Sequence, residues 1–355
     1  MKNRRCPRCH SHFAAPARFC PTDGTPLVEV SPVEEATGGG RGGGGGGQES
    51  TGTAAGRASP AASLTGQLVD GRYRVLRRLG EGGMAYVYLA DDEERGAQVA
   101  VKILTPRLSR DPGSVERLRR EASIAMRLNH PNVCPILRVG ETADKLMYLV
   151  MPYLPGEPLS EAENRRGPFP VAEGIALLVQ VCRGLQHAHA LQVVHRDLKP
   201  ENVMLVPDET SPFGRRAVVM DFGLAKERRA DPEIAKLTQT GIVLGTPEFM
   251  SPEQIRGKPL DGRSDVYAVG VLAFEMFTGK LPFEGRNPQE AMLARLKSQP
   301  MRLRAVREDL PPKLESVIMK TLSVLPEDRY SSMMDLAAAL ESVGGSGVLA
   351  RLFGR

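Results

Sequence analysis

The sequence predicts an α+β fold: a small strand-rich part, then a larger and mainly helical one, with a separate small unit at the N-terminus. Three observations predict it. Residues 73–79, 85–90 and 98–104 are short runs rich in Val, Tyr and Leu between turn residues, and read as consecutive strands. Residues 114–128, 170–189 and 265–277 carry apolar side chains at helical spacing or almost throughout, which predicts one amphipathic helix and two buried ones. The first thirty residues hold three of the five cysteines and are cut off by a stretch of Gly, Ala, Ser and Thr in which Gly42 to Gly47 are unbroken.

At 355 residues, the chain is long for one domain and comfortable for one large domain plus an appendage. A hydrophobic content of 41% supports a substantial core, and a net charge of +5 is too mild to indicate nucleic acid by itself. The odd, uneven cysteine count argues against a disulfide framework, with Cys134 and Cys182 isolated in apolar surroundings as reduced core residues. No apolar run reaches the length of a membrane span and no signal-peptide core opens the chain, so a soluble, cytoplasmic protein is expected.

In chain order, residues 1–30 come first. Cys6-Pro-Arg-Cys9 and Cys20-Pro-Thr-Asp23 each place ligand-type residues three apart, a spacing that can wrap one metal ion on two tight turns. A segment this short cannot fold on its own apolar area, so a metal is the natural organiser. The unit resembles the zinc ribbons at the N-termini of some bacterial signalling proteins. It departs from them at the fourth ligand, where Asp23 stands for Cys and His10 and His12 compete. Arg4, Arg5, Arg8 and Arg18 keep a nucleic-acid role open, but no aromatic platform extends beyond Phe13 and Phe19. Residues 31–69 are expected to be a flexible tether. Order should resume at residue 70.

Between the first two strands of the large domain lies Gly80-Glu81-Gly82-Gly83-Met84-Ala85, where missing Cβ atoms let backbone amides approach phosphates. In the helix 114–128, Glu121 falls within the apolar face and needs a partner. Residues 146–154 form an apolar strand entering a linker, and the helix 170–189 delivers the chain to Val194-His-Arg-Asp-Leu-Lys-Pro-Glu-Asn202. His187 and His189 read as structural residues at that helix's end. Asp221-Phe-Gly follows nineteen residues after Asn202. The chemistry that needs this arrangement is phosphoryl transfer. Asp197 can accept the proton of an attacking hydroxyl, Lys199 can neutralise charge on the moving group, and Asn202 and Asp221 are hard oxygen ligands suited to magnesium.

These two motifs, together and in this order, closely resemble the catalytic and metal loops of the protein-kinase family. The resemblance covers residues 70–343 and implies a two-lobed kinase fold: residues 70–154 as a small antiparallel sheet lobe with one helix, and 155–343 as a larger, mainly helical lobe. It implies ATP and Mg2+ as the nucleotide and metal. Lys102 would hold the α- and β-phosphates and pair with Glu121. Leu79, Gly80, Glu81, Gly82 and Gly83 would cover the nucleotide, and Val87, Ala100 and Met204 would enclose adenine. Met151 would be the gatekeeper, with the Pro152 carbonyl and the Leu154 amide meeting the base. Many relatives carry Glu where Pro152 stands, but the N–H that proline lacks is not used in this mode.

Thr246 would help form the hydroxyl-substrate platform, and Ser251 stands for the usual Ala. Asp265 would tie down the catalytic-loop backbone, Arg196 would meet a phosphate on the activation segment, and Arg329 would pair with Glu253. The Gly-Gly-Met turn resembles bacterial Hanks-type kinases in particular, in which Thr238 and Thr240 correspond to activating phosphosites. Lys199 belongs to the serine/threonine pattern. The implied activity is a non-specific serine/threonine protein kinase (EC 2.7.11.1). Its partners would be ATP, proteins bearing Ser or Thr, a protein partner for the ribbon, and a second copy during autophosphorylation. Two alternatives are a nucleotide-binding pseudokinase scaffold and a nucleic-acid regulator acting through the ribbon. Residues 344–355 form a tail without a readable role.

Overall fold

The computed structural model describes residues 64–82, 85–222, 247–285, 287–297 and 299–344, with three short strands among the first thirty. Two units emerge, Met1–Gly56 and Arg57–Arg355. In the first, β1 (Asn3–Arg5), β2 (His12–Ala14) and β3 (Val28–Glu29) form an antiparallel sheet in the order β2-β1-β3.

The second unit begins with a six-stranded antiparallel sheet. Its strands are β4 (Leu68–Val69), β5 (Tyr73–Glu81), β6 (Ala85–Asp92), β7 (Ala97–Leu104), β8 (Arg138–Glu141) and β9 (Met147–Pro152), in the order β4-β5-β6-β7-β9-β8. The tether expected over 31–69 is therefore shorter at its end: Leu68 and Val69 pair with Arg74 and Tyr73, and Val69 is buried. An apolar side chain at 69 and the free edge of β5 explain why this polar stretch is captured. Short α1 (Pro106–Ser109) leads into α2 (Pro112–Ala125). The α2 face carrying Leu118 and Ala122 packs on Met147 and Leu149 of β9, as its apolar spacing requires.

The helical part is built around α4 (Val171–Ala190) and the Gly262–Thr278 helix, both apolar on nearly every side because both are enclosed. They approach closely at Gly174, where a Cβ would stand 2.4 Å from the Phe277 ring. Asp261 caps the Gly262–Thr278 helix by accepting from the Arg263 N–H at 2.8 Å, and Gly279 ends it at φ +69°. α3 (Leu159–Arg166) precedes α4, and a small sheet, β10 (Glu157–Pro158), β11 (Val203–Pro207) and β12 (Arg215–Val219), lies in the order β10-β11-β12. Val203 pairs with Val219, so the segments at Asn202 and Asp221 emerge side by side. Cys134 and Cys182 are buried free thiols. Among the described residues, no helix is long and apolar enough to cross a membrane.

Candidate active site

The turn between α4 and β11 carries His195, Arg196, Asp197, Lys199 and Asn202, and it is held from several sides. Asp265, buried on the Gly262–Thr278 helix, accepts from the His195 N–H at 2.8 Å and the Arg196 N–H at 2.9 Å. Burial works to raise the Asp265 pKa, but His189 at 2.7 Å, with smaller help from His195 and the Arg196 N–H, outweighs it and holds the carboxyl below its ordinary value. Arg196 sits at φ +68°, a left-handed conformation that costs a side chain about 1–3 kcal/mol and needs such support. Gln254 adds to it by donating to the Arg196 carbonyl at 2.8 Å.

His195 bonds the Met220 carbonyl at 2.7 Å and meets Phe222 edge-on at 4.8 Å, so this turn and the Asp221 segment are fastened to each other. The Met220 N–H donates to the Asn202 carbonyl at 2.9 Å. The Asn202 amide donates to the Asp197 carbonyl at 2.8 Å, and Lys199 Nζ lies 3.6 Å from the Asp197 carboxylate. Asp221, itself at φ +59°, accepts from Lys102 Nζ at 2.8 Å. Burial pushes its pKa up, yet Lys102, with smaller help from His195 and Lys199, keeps it below the usual carboxylate range. The carboxylate is therefore ionised at neutral pH. Its oxygens and the Asn202 side-chain oxygen form a hard donor set that fits magnesium.

Lys102 stands on β7 opposite Val87 of β6 and Leu149 of β9, and Ala100 faces Met151. Beneath them Cys134, Val206 and Val218 form a small buried cluster packed by Met151, Leu154, Met204 and Met220, an apolar floor suited to a flat base. On the turn between β5 and β6, a Cβ at Gly80 or Gly82 would meet nothing within 4 Å. Leu79 is 37% exposed on β5, and Glu81 pairs with Arg78 at 2.7 Å.

Gly83, Thr238, Thr240, Thr246, Cys6, Cys9, His10, Cys20 and Asp23 lie outside the described residues, as do the side chains of His12 and Glu121. Among the described residues, Lys102 pairs with Asp221. Glu253 and Arg329 form a buried two-pronged ion pair at 2.7 and 2.8 Å, and Ser264 donates to Glu253 at 2.7 Å.

Residues 73–340 match the family described as the protein kinase domain. This chain belongs to that family. The serine/threonine-protein kinase Pkn1 of Myxococcus xanthus is 39% identical over 294 residues, covering 82% of this chain and 41% of that protein. PknB of Mycobacterium leprae, also a serine/threonine-protein kinase, is 37% identical over 272 residues, covering 76% and 42%. The chain thus spans under half the length of these two relatives. Among solved structures, the kinase domain of Mycobacterium tuberculosis PknI superimposes with a TM-score of 0.63 at 28% identity, covering 79% of this chain and all of that domain.

Within this kinase domain, several supports carry no sequence signal of their own. His189 reaches Asp265 only because the two helices cross there, at Gly262, where a Cβ would stand 2.6 Å from the His189 ring. Gln254 and Cys134 gain their places in the same way, from tertiary contact.

Proposed function

We propose that this chain is a serine/threonine protein kinase that transfers the γ-phosphoryl group of ATP to Ser or Thr hydroxyls of proteins, its own activation segment included, in bacterial signalling. The observation that carries the reading is the convergence of Lys102, Asp197, Lys199, Asn202 and Asp221 at one cleft above an apolar floor. Asp197 takes the proton of the incoming hydroxyl, and Lys199, beside it, offsets charge on the group in transit. Lys102 holds the α- and β-phosphates once nucleotide draws it from Asp221, with Glu121 as its second partner. Asn202 and Asp221 would hold magnesium, which neutralises phosphate charge when bound. Gly80, Gly82 and Gly83 cover the phosphates, Val87, Ala100 and Met204 enclose the base, and Pro152 and Leu154 meet its edge below Met151. A pseudokinase is disfavoured because Lys102, Asp197 and Asp221 are all present. Labelled ATP with a generic protein substrate, followed by phosphosite mapping, tests this: no phosphoserine or phosphothreonine would refute it.

The same reading makes Thr238 and Thr240 activating sites whose phosphates pair with Arg196. A fully active double alanine variant would remove that role. For the N-terminal unit, the reading is one zinc per chain on Cys6, Cys9, Cys20 and Asp23. Pairing of Arg5 with His12 supports it, since Cys6 and Cys9 then fall in the connection between two joined strands. Metal analysis showing no zinc, or zinc unaffected by Cys20→Ser, would rule it out. The domains read as ribbon 1–30, kinase domain to residue 343 and a short tail. The free buried thiols fit a cytoplasmic setting.

A further inference from the structure

Two histidines fasten the connection between α2 and β8 to α4. His187, on α4, accepts the Asn129 N–H at Nε2 at 3.1 Å. His130, in the connection, accepts the Asn132 N–H at Nδ1 at 3.1 Å. The two rings stack, with centroids 5.4 Å apart and planes inclined by 28°. The backbone of this connection lies hard against α4, for a Cβ at Gly184 would stand 2.6 Å from the Asn132 carbonyl.

The connection in turn pairs with the outer edge of β12. Val219 donates to the Asn132 carbonyl at 2.9 Å and accepts from Cys134 at 2.9 Å. The Asn132 amide donates to Ala217 at 2.8 Å, and Gln180 of α4 accepts from the Ala217 N–H at 2.9 Å. Two residues beyond Val219 stands Asp221. A continuous path of hydrogen bonds therefore runs from the imidazole pair to the strand that presents this carboxylate.

We infer that His130 and His187 are positioning residues for Asp221, and that acid releases their hold on the strand beneath it; the catalytic consequence rests on the kinase reading above. Only a neutral ring offers an acceptor at the nitrogens that Asn129 and Asn132 use. A second proton turns each acceptor into a donor aimed at another donor, and makes the stacked partner a like charge. The surrounding charges add to this. Arg183 of α4 pairs with Glu341 at 3.1 Å, and Arg216 of β12 pairs with Asp208 at 3.1 Å while reaching the Pro131 carbonyl. Arg127 flanks the connection itself. Among the described residues, neither imidazole pairs with a carboxylate that would welcome the proton.

Burial first, then His187 and Arg183, hold the His130 pKa below its ordinary value. A depressed histidine pKa means the docked form is fully favoured above the ordinary value of about 6.5 and is lost as pH falls below it.

The test compares the full chain with the double variant His130→Asn, His187→Gln, whose side chains still offer acceptors but cannot be protonated. Between pH 7.5 and 5.8, wild-type kcat should fall by about tenfold more than that of the variant, the size expected from losing one or two net hydrogen bonds. Superimposable pH profiles would overturn the inference. Should the variant not fold, amide exchange on the wild-type chain decides. Protection at residues 129–134 and 217–219, corrected for intrinsic rate, should drop across the same interval while the Gly262–Thr278 helix is unchanged; uniform protection overturns it. Because exchange needs no turnover, it separates failure of this inference from failure of the kinase reading.

Discussion

Replacing Arg329 by Met should strongly destabilise the helical part. The Arg329 side chain is 0% exposed and Glu253 7%. Besides gripping both oxygens of Glu253, the guanidinium donates to the carbonyls of Ser323, Arg263 and Val324 at 2.8, 2.8 and 3.1 Å. Methionine fills most of the volume but leaves a buried carboxylate and three carbonyls without their donor. Breaking one side of such a pair typically costs about 3–5 kcal/mol. For a domain of this size that corresponds to a fall in Tm on the order of 10 °C. Circular dichroism with thermal and urea unfolding measures it.

The pH dependence sharpens the test. Burial raises the Glu253 pKa, but Arg329 and Ser264 more than reverse this, so the folded value lies below the unfolded one. The pair's contribution is thus present above the unfolded carboxylate value of about 4.3 and is lost as pH falls through the lower folded value. In Arg329→Met, Glu253 should instead have a raised pKa, and stability should improve on mild acidification. A loss under about 1 kcal/mol at neutral pH, or an unchanged acid limb, would refute the reasoning.

Three more outcomes are expected. Lys102→Met and Asp221→Asn should each abolish phosphoryl transfer with little loss of fold, checked by labelled-ATP turnover beside thermal unfolding; wild-type turnover in either would remove its assigned role. Gly262→Ala should press on His189 and loosen Asp265 from the catalytic turn, lowering stability by about 1–3 kcal/mol and kcat more than the KM for ATP; an unchanged kcat would separate that contact from catalysis. Arg295 is 1% exposed, its Nε and Nη1 have no partner among the described residues, and its guanidinium lies 5.9 Å from the Phe283 ring centroid. Arg295→Met should therefore leave stability unchanged or raise it, since removing an unpaired buried charge relieves desolvation; a fall above about 2 kcal/mol would mean the charge is paired in solution.

The parts legible in the sequence are those whose signal is local. Alternation and apolar runs located β5, β6, β7, α2, α4 and the Gly262–Thr278 helix to within a few residues, because burial imposes a period on each. The residues of the cleft stood out as types at fixed offsets, since the proton acceptance, charge neutralisation and metal ligation proposed for them each demand a particular side chain. Tertiary structure alone decided what sequence separation hides. Lys102 and Asp221 lie 119 positions apart and meet at 2.8 Å. Leu68 and Val69 look like the end of a polar tether, yet the open edge of β5 captures them. His187 and His189 look alike in the sequence, two positions apart near one helix end. The turn of α4 sends His189 to Asp265 and His187 to the Asn129 backbone, so one braces the turn that carries Asp197 and the other the connection that pairs with β12.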